Sequence, residues 1–159
     1  MQLVNGAYRP TPQLAGWTHE ADLVAGERVT VVQVMEALGR DSTTVLVGLK
    51  GAEIIACIQV DHDGSRSHLG MFAVAPALQN AGIGKQMLAY GEGYARTTFA
   101  AKTFVMLVIL ERRELVTFYL RRGYQQTGDV LDYPLLANAG IPKRNGLQVI
   151  RLEKEAVND

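Results

Sequence analysis

The sequence predicts an α/β (α+β) fold: a mixed, mostly antiparallel twisted sheet with helices on both faces, in a single domain over residues 1–159. Three β-rich stretches follow one another in "TTVLVGLKGAEIIACIQVDHDGSRSHLGMFAVAP", separated only by the turn-rich "KGA" and "DHDGSRS". Directly after Pro76 the apolar spacing lengthens to three and four, which marks a change from strand to helix. An apolar run, "TFVMLVIL", then lies between two helical segments, as a strand covered on both faces would.

Taken in order, the chain before Thr44 reads as helical pieces, of which "VTVVQVMEAL" is the clearest. The meander follows, with strands near 44–49, 53–61 and 67–75. Leu88, Gly91, Ala95 and Phe99, together with Met87, Tyr90 and Tyr94, define the first long helix. Gly91 and Gly93 lie inside it at a cost of about 1 kcal/mol each relative to Ala, which implies close packing or a bend. "TFVMLVIL" is the central strand, reached by a right-handed parallel crossover. In "ERRELVTFYLRRGY", Leu115, Phe118 and Tyr119 share one face of a short amphipathic helix, Arg112, Arg113, Arg121 and Arg122 surround the rest, and Gly123 caps the end. "GLQVIRLEK" forms the last strand after a loop containing Pro134, Gly140 and Pro142.

Composition narrows the function classes. Lys plus Arg and Asp plus Glu number 16 each, so no net field draws the protein to nucleic acid or an acidic membrane. A charged ligand must be met by a local feature. The longest apolar stretch, Phe104 to Leu110, has 7 residues, too few to cross a membrane. The N-terminus lacks the pattern of a secretory leader and the single cysteine, Cys57, cannot form an internal disulfide, so a soluble protein of the reducing cytoplasm is expected.

One such local feature is "VAPALQNAGIGKQML". Aligned on Gly84 and Lys85, a phosphate loop of the Walker A type would need glycine where Gln79 stands and a hydroxyl where Gln86 stands. A dinucleotide fingerprint from Gly82 would need a small residue at Met87. What remains is Q-x-x-G-x-G at the start of a helix. There the first four N–H groups lack internal partners and carry the positive end of the dipole. Gly82 and Gly84 leave room for a pyrophosphate, and Lys85 adds a charge; the same glycines also serve a plain strand-to-helix turn.

The pairing of "LGMFAVAPALQNAGIGKQML" with "ERRELVTFYLRRGY" resembles the acetyl-CoA motif and the tyrosine-bearing second motif of the GCN5-related N-acetyltransferase (GNAT) superfamily. "LVNGAYR", "GWTHEADL" and "GIPK" resemble a branch of it found in bacteria and fungi. The resemblance implies an N-acetyltransferase with acetyl-CoA as cosubstrate, passing acetyl to a primary amine of a small molecule or peptide by direct attack in a ternary complex. An inactive acyl-CoA sensor of the same fold is the alternative. It further implies that Phe72, Ala73 and Val74 line the pantetheine arm, that the amides of Gln79, Asn80, Ala81, Gly82, Ile83, Gly84 and Lys85 hold the pyrophosphate, and that Tyr119 protonates the departing thiolate.

Two departures from the family pattern stand out. "MQLVNGAYR" already resembles the family's first helix, so either the given start is internal or the first edge strand is absent, and an uncovered edge would allow a homodimer. The Asn seven residues before the tyrosine is Arg112 here. For the base, His19, Glu20 and His68 are candidates alongside a water chain. Trp17 and Glu20 can line an acceptor pocket or serve as packing and a helix start. Asp61, His62, Asp63 and His68 have no ligand spacing, so no metal is expected, and Cys57 reads as a small buried hydrophobe.

Overall fold

A computed structural model describes residues 1–157. The chain begins with helix α1 (Gln2–Tyr8), a two-residue strand β1 (Val24–Ala25) and helix α2 (Val31–Leu38). Thr30 and Gln33 close a capping box at the start of α2, each side chain satisfying the other's backbone N–H. The meander is β2 (Thr43–Lys50), β3 (Glu53–Asp63) and β4 (Arg66–Val74). Helix α3 (Ile83–Phe99), strand β5 (Thr103–Ile109) and helix α4 (Arg113–Leu120) follow. Strands β6 (Gln125–Asp132), β7 (Ile141–Pro142) and β8 (Gln148–Glu155) complete the order.

Among the described residues the main sheet runs β2-β3-β4-β5-β8-β6, with β4 and β5 its only parallel pair, while β1 and β7 form a separate two-stranded ribbon. The expected crossover through α3 and the central place of β5 are both present. The sequence did not announce β6, whose residues are all exposed and show no alternation. Among the described residues no strand lies outside β2, so its edge is open. None of their helices is long and apolar enough to cross a membrane.

Alternation along β3 sorts the core into two layers. Ala56, Ile58 and Val60 face α3 and α4, packing with Met87, Leu88, Ala95, Val116 and Phe104. Cys57 turns the other way with Met71 and Ala73, onto Val4 and Ala7 of α1 and Val29. Burial pushes the Cys57 thiol up to about 11, so it stays a neutral packing group. Gly91 answers to close packing, since a Cβ there would stand 3.2 Å from Ile58; Gly93 meets nothing. One position departs from the doubly covered central strand: Leu107 is 51 % exposed.

A bulge in β4 shapes the functional end of the sheet. Gly70 pairs with Gln59 and Ala73 with Cys57, so two residues of β4 stand opposite one of β3, and Met71 takes a left-handed φ of 42° to allow it. On its other side β4 parts from β5 before the bulge is reached. It pairs with β5 only from Arg66 to His68, and the stretch to Val74 is left without a strand on that side.

Candidate active site

The parted strands open into a cleft of ≈ 770 Å³ walled by the ends of α1 and β4, the loop before α3, and α4. The Ala75 N–H donates to Ile55 across the sheet, so the backbone of Val74, one residue earlier, faces away from β3 and into the gap. Its carbonyl accepts from the Gln79 side chain at 3.2 Å, while its N–H remains directed at the cleft. Gln79 also accepts from the Thr18 N–H at 3.1 Å and packs so close to Gly16 that a Cβ there would collide with the amide. The Gln79 side chain is therefore a brace between β4 and the N-terminal loop, and its backbone N–H donates to the Pro76 carbonyl at 3.3 Å.

The loop itself is built for its amides. Asn80 and Gly82 take φ values of 65° and 81°, and Gly82 stands at the N-cap of α3 with no side chain satisfying the first turn. Gly84 has a different reason to be glycine. A Cβ there would touch Phe118, Phe72 and Val74 at 3.7 Å, an ordinary distance, yet it would project into the cleft. Asn80, Gly82, Gly84 and Lys85 line the opening, and Arg121 and Arg122 face it from the end of α4. Ala81 and Ile83 do not line it; Ile83 packs on the core.

Tyr119 is 3 % exposed, yet it reaches the cleft wall, and among the described residues its hydroxyl has no hydrogen-bond partner. Burial pushes its ionisation well above the ordinary phenol range; Tyr8 adds to this, and Arg112 and Arg122 oppose it. The nearby Tyr124 is otherwise employed, donating to Glu92 at 2.9 Å. Tyr119 thus presents a protonated hydroxyl at the cleft wall.

The other end of the cleft corrects several expectations. Trp17 lines it, packed against Phe118 with ring centres 6.0 Å apart. Glu20 does not: it is 4 % exposed and its carboxylate is held by Arg9 at 2.6 Å and Arg112 at 3.5 Å, which removes it as an acceptor contact or a base. His68 sits at the far start of β4, 4.0 Å from Asp63, and His19 accepts from the Ala21 N–H; neither lines the cleft. Arg112, expected on a solvated helix face, precedes α4 and is 7 % exposed. Its guanidinium donates to the Thr18 hydroxyl at 2.8 Å and lies 5.6 Å from the Tyr8 ring centre. Glu114 is the one carboxylate among the cleft-lining residues, and it accepts from Thr18 at 2.9 Å.

Arg9 ties three distant segments together. Besides Glu20 it donates to the carbonyls of Gly26 and Ala139, each at 2.6 Å. A Cβ at Gly140 would meet Arg9 at 2.5 Å and the Ala25 carbonyl at 2.6 Å, so only glycine fits beside this knot. Tyr8, Arg9 and Glu114 gave no sequence signal of their own, and Arg112 only a departure from the family pattern; the contacts that join Thr18 and Glu20 to α4 span 92 to 96 residues.

The model of the acetyltransferase (GNAT) domain matches residues 41–126, more than half of the chain. No curated protein sequence matches it. Among solved structures, a GNAT family acetyltransferase from Elizabethkingia anophelis with acetyl-CoA bound is similar over 89% of this chain and 94% of that one, at 24% identity and a TM-score of 0.68. An IAA acetyltransferase from Bacillus cereus is similar over 80% and 85%, at 19% identity and a TM-score of 0.67. The ribosomal-protein-S18-alanine N-acetyltransferase from Escherichia coli is similar over 79% and 77%, at 13% identity and a TM-score of 0.63. At these identities the likeness is one of fold.

Proposed function

The chain belongs to the GNAT acetyltransferase family, and from that premise we propose that residues 1–159 act as one domain that binds acetyl-CoA in the β4–α4 cleft and acetylates a primary amine. The observation that carries this reading is the coincidence, in one cleft, of an unpaired strand end, free helix amides and a buried tyrosine hydroxyl. Acetyl-CoA supplies an acetyl thioester, a pantetheine arm and a pyrophosphate. The first-turn amides of α3, with Lys85, take the pyrophosphate. The side of Gly84 admits the arm, which lies along Phe72 to Val74 as a strand would.

The chemistry then falls to three groups. The Val74 N–H points where negative charge grows on the thioester oxygen, in a cleft poor in water. The amine nitrogen forms its bond to the acetyl carbon as the carbon–sulfur bond breaks, so no acyl-enzyme is needed. Glu114 takes the proton that the amine loses, directly or through water, being the carboxylate that faces the cleft. Tyr119 donates to the departing sulfur. Burial makes its phenol a weak acid, and the same burial makes a thiolate a strong base, so the transfer stays matched.

A homodimer through the open β2 edge belongs to the same reading. Beside that edge α2 leaves Val31, Val32, Met35 and Leu38 more than half exposed. Thermal unfolding in the presence of acetyl-CoA, CoA or ATP tests the cofactor assignment. Ligand at 100 times its Kd adds roughly 2.7 kcal/mol, a rise of about 5 to 10 °C. A rise with the two CoA ligands but not with ATP is expected; no rise with either CoA ligand overturns the assignment.

A further inference from the structure

Within that reading, and resting on it, we propose that the acceptor is an α-amino carboxylate: its carboxylate is held by Arg112 and its amine faces Glu114. The two side chains stand together in the cleft wall, with Arg112 Nε 3.9 Å from Glu114 Oε1. A cation and an anion presented side by side match a molecule that carries both charges on one carbon. A polyamine would meet Arg112 as a like charge, and a plain amine would add no anion to it.

Arg112 has unspent capacity for this role. Its side chain is 8 % exposed, and the buried Nε makes no hydrogen bond among the described residues. Its nearest anion, Glu20, is committed first to Arg9 at 2.6 Å and lies 3.5 Å from Arg112. The idle Nε is sealed from solvent 3.9 Å from Glu114, so a substrate carboxylate meets the terminal nitrogens, whose planar fork suits it. The Tyr8 ring beneath the guanidinium and the Thr18 hydroxyl fix its plane, so the site is formed before the substrate enters. Thr18 also donates to Glu114, so one hydroxyl sets the spacing between the two charged groups.

Further cations crowd the cleft without competing for this task. Lys85, Arg121 and Arg122 flank the α3 end, where the cosubstrate's phosphates are assigned, and Arg113 is exposed at the rim. The bound ammonium first loses one proton to solvent; the neutral amine nitrogen then bonds to the acetyl carbon as the carbon–sulfur bond breaks, its next proton passes to Glu114, and the sulfur leaves with the proton of Tyr119, which solvent restores. The product is an N-acetyl amino acid, whose carboxylate still holds Arg112 while the ammonium charge is gone. Release is thereby favoured at the Glu114 side.

The test uses the whole chain with acetyl-CoA and measures free thiol release on the common L-amino acids, their carboxamides and spermidine. Acids turned over at least tenfold faster, in kcat/KM, than their amides are expected. In Arg112→Gln that ratio falls towards one, while Arg112→Lys keeps part of it. A structural arginine would lower acids and amides alike and leave the ratio unchanged. That result overturns the proposal, as does turnover of spermidine or amides at the rate of the acids, or no turnover of any acid. Acetyl-CoA stabilisation, read on the same samples, separates the two levels: without it the parent reading fails, and with it only the acceptor assignment does.

Discussion

The two ends of the cleft are made of different material. At the α3 end the working groups are backbone amides, and side chains serve by being absent: Gly82 for its φ of 81°, Gly84 for the space beside it. At the α1 end the cleft wall carries the charged side chains of Arg112 and Glu114, held in place by Glu20 with Arg9 behind it and by Tyr8 and Thr18. The first kind of site is local in sequence and indifferent to which residues stand elsewhere. The second exists only once α1, the loop at Thr18 and α4 have come together. Tyr119 lies between them and belongs to both, which is why its hydroxyl can serve any acceptor that the charged end admits.

The sharpest way to break this division is to disturb one end and read the other. Glu20→Gln leaves Arg9 and Arg112 buried without their shared anion, a loss of about 3 to 5 kcal/mol. The unfolding midpoint is expected to drop by about 10 °C in a scanning measurement, with acetyl-CoA affinity at low temperature unchanged. A matching loss of affinity would mean that the two ends are not separable.

Tyr119→Phe acts where they meet. Removal of a general acid costs roughly 10² to 10⁴ in turnover, read as thiol release at saturating substrates. The acetyl-CoA affinity should hold, because the ring and its packing on Phe118 and Tyr124 remain. Turnover equal to that of the parent would remove the acid role.

Alkaline titration gives a smaller effect that sharpens the same point. Tyr119 and Tyr124 have folded-state ionisations raised by burial, so the native state keeps their protons where the unfolded chain loses them. Stability is therefore full below about pH 10 and falls above it by roughly 1.4 kcal/mol per pH unit for each. Denaturant midpoints followed from pH 8 to 11 should bend downward near 10, and Tyr119→Phe should halve the slope that these two contribute. An unbent profile would mean that both hydroxyls are solvated.

How much could be read beforehand follows the same boundary. The meander, the crossover helix, the buried strand and the glycine loop are patterns of neighbouring residues, and all stand where the sequence puts them. Strand β6 escaped because neither of its faces is buried, so no alternation marks it. Glu20 looked like a carboxylate for an amine, and nothing near it in sequence announces that Arg9 and Arg112 claim it. Arg112 looked like one of four arginines on a wet helix face, but it precedes the first turn and points inward. Glu114 sat unremarked in the same run, although it is the carboxylate that lines the cleft.

The central claim is that the gap beside β4 and the first turn of α3 hold acetyl-CoA. The most direct measurement is calorimetric affinity for acetyl-CoA in the parent and in Gly84→Val. A Cβ at this position meets Phe118, Phe72 and Val74 at ordinary contact distances, and the unfolding midpoint of the variant shows whether its two further methyls are also accommodated. The account predicts affinity at least tenfold weaker, about 1.4 kcal/mol, because the added methyls occupy the path of the pantetheine arm. Equal affinity in the two proteins, with the variant folded, would contradict it.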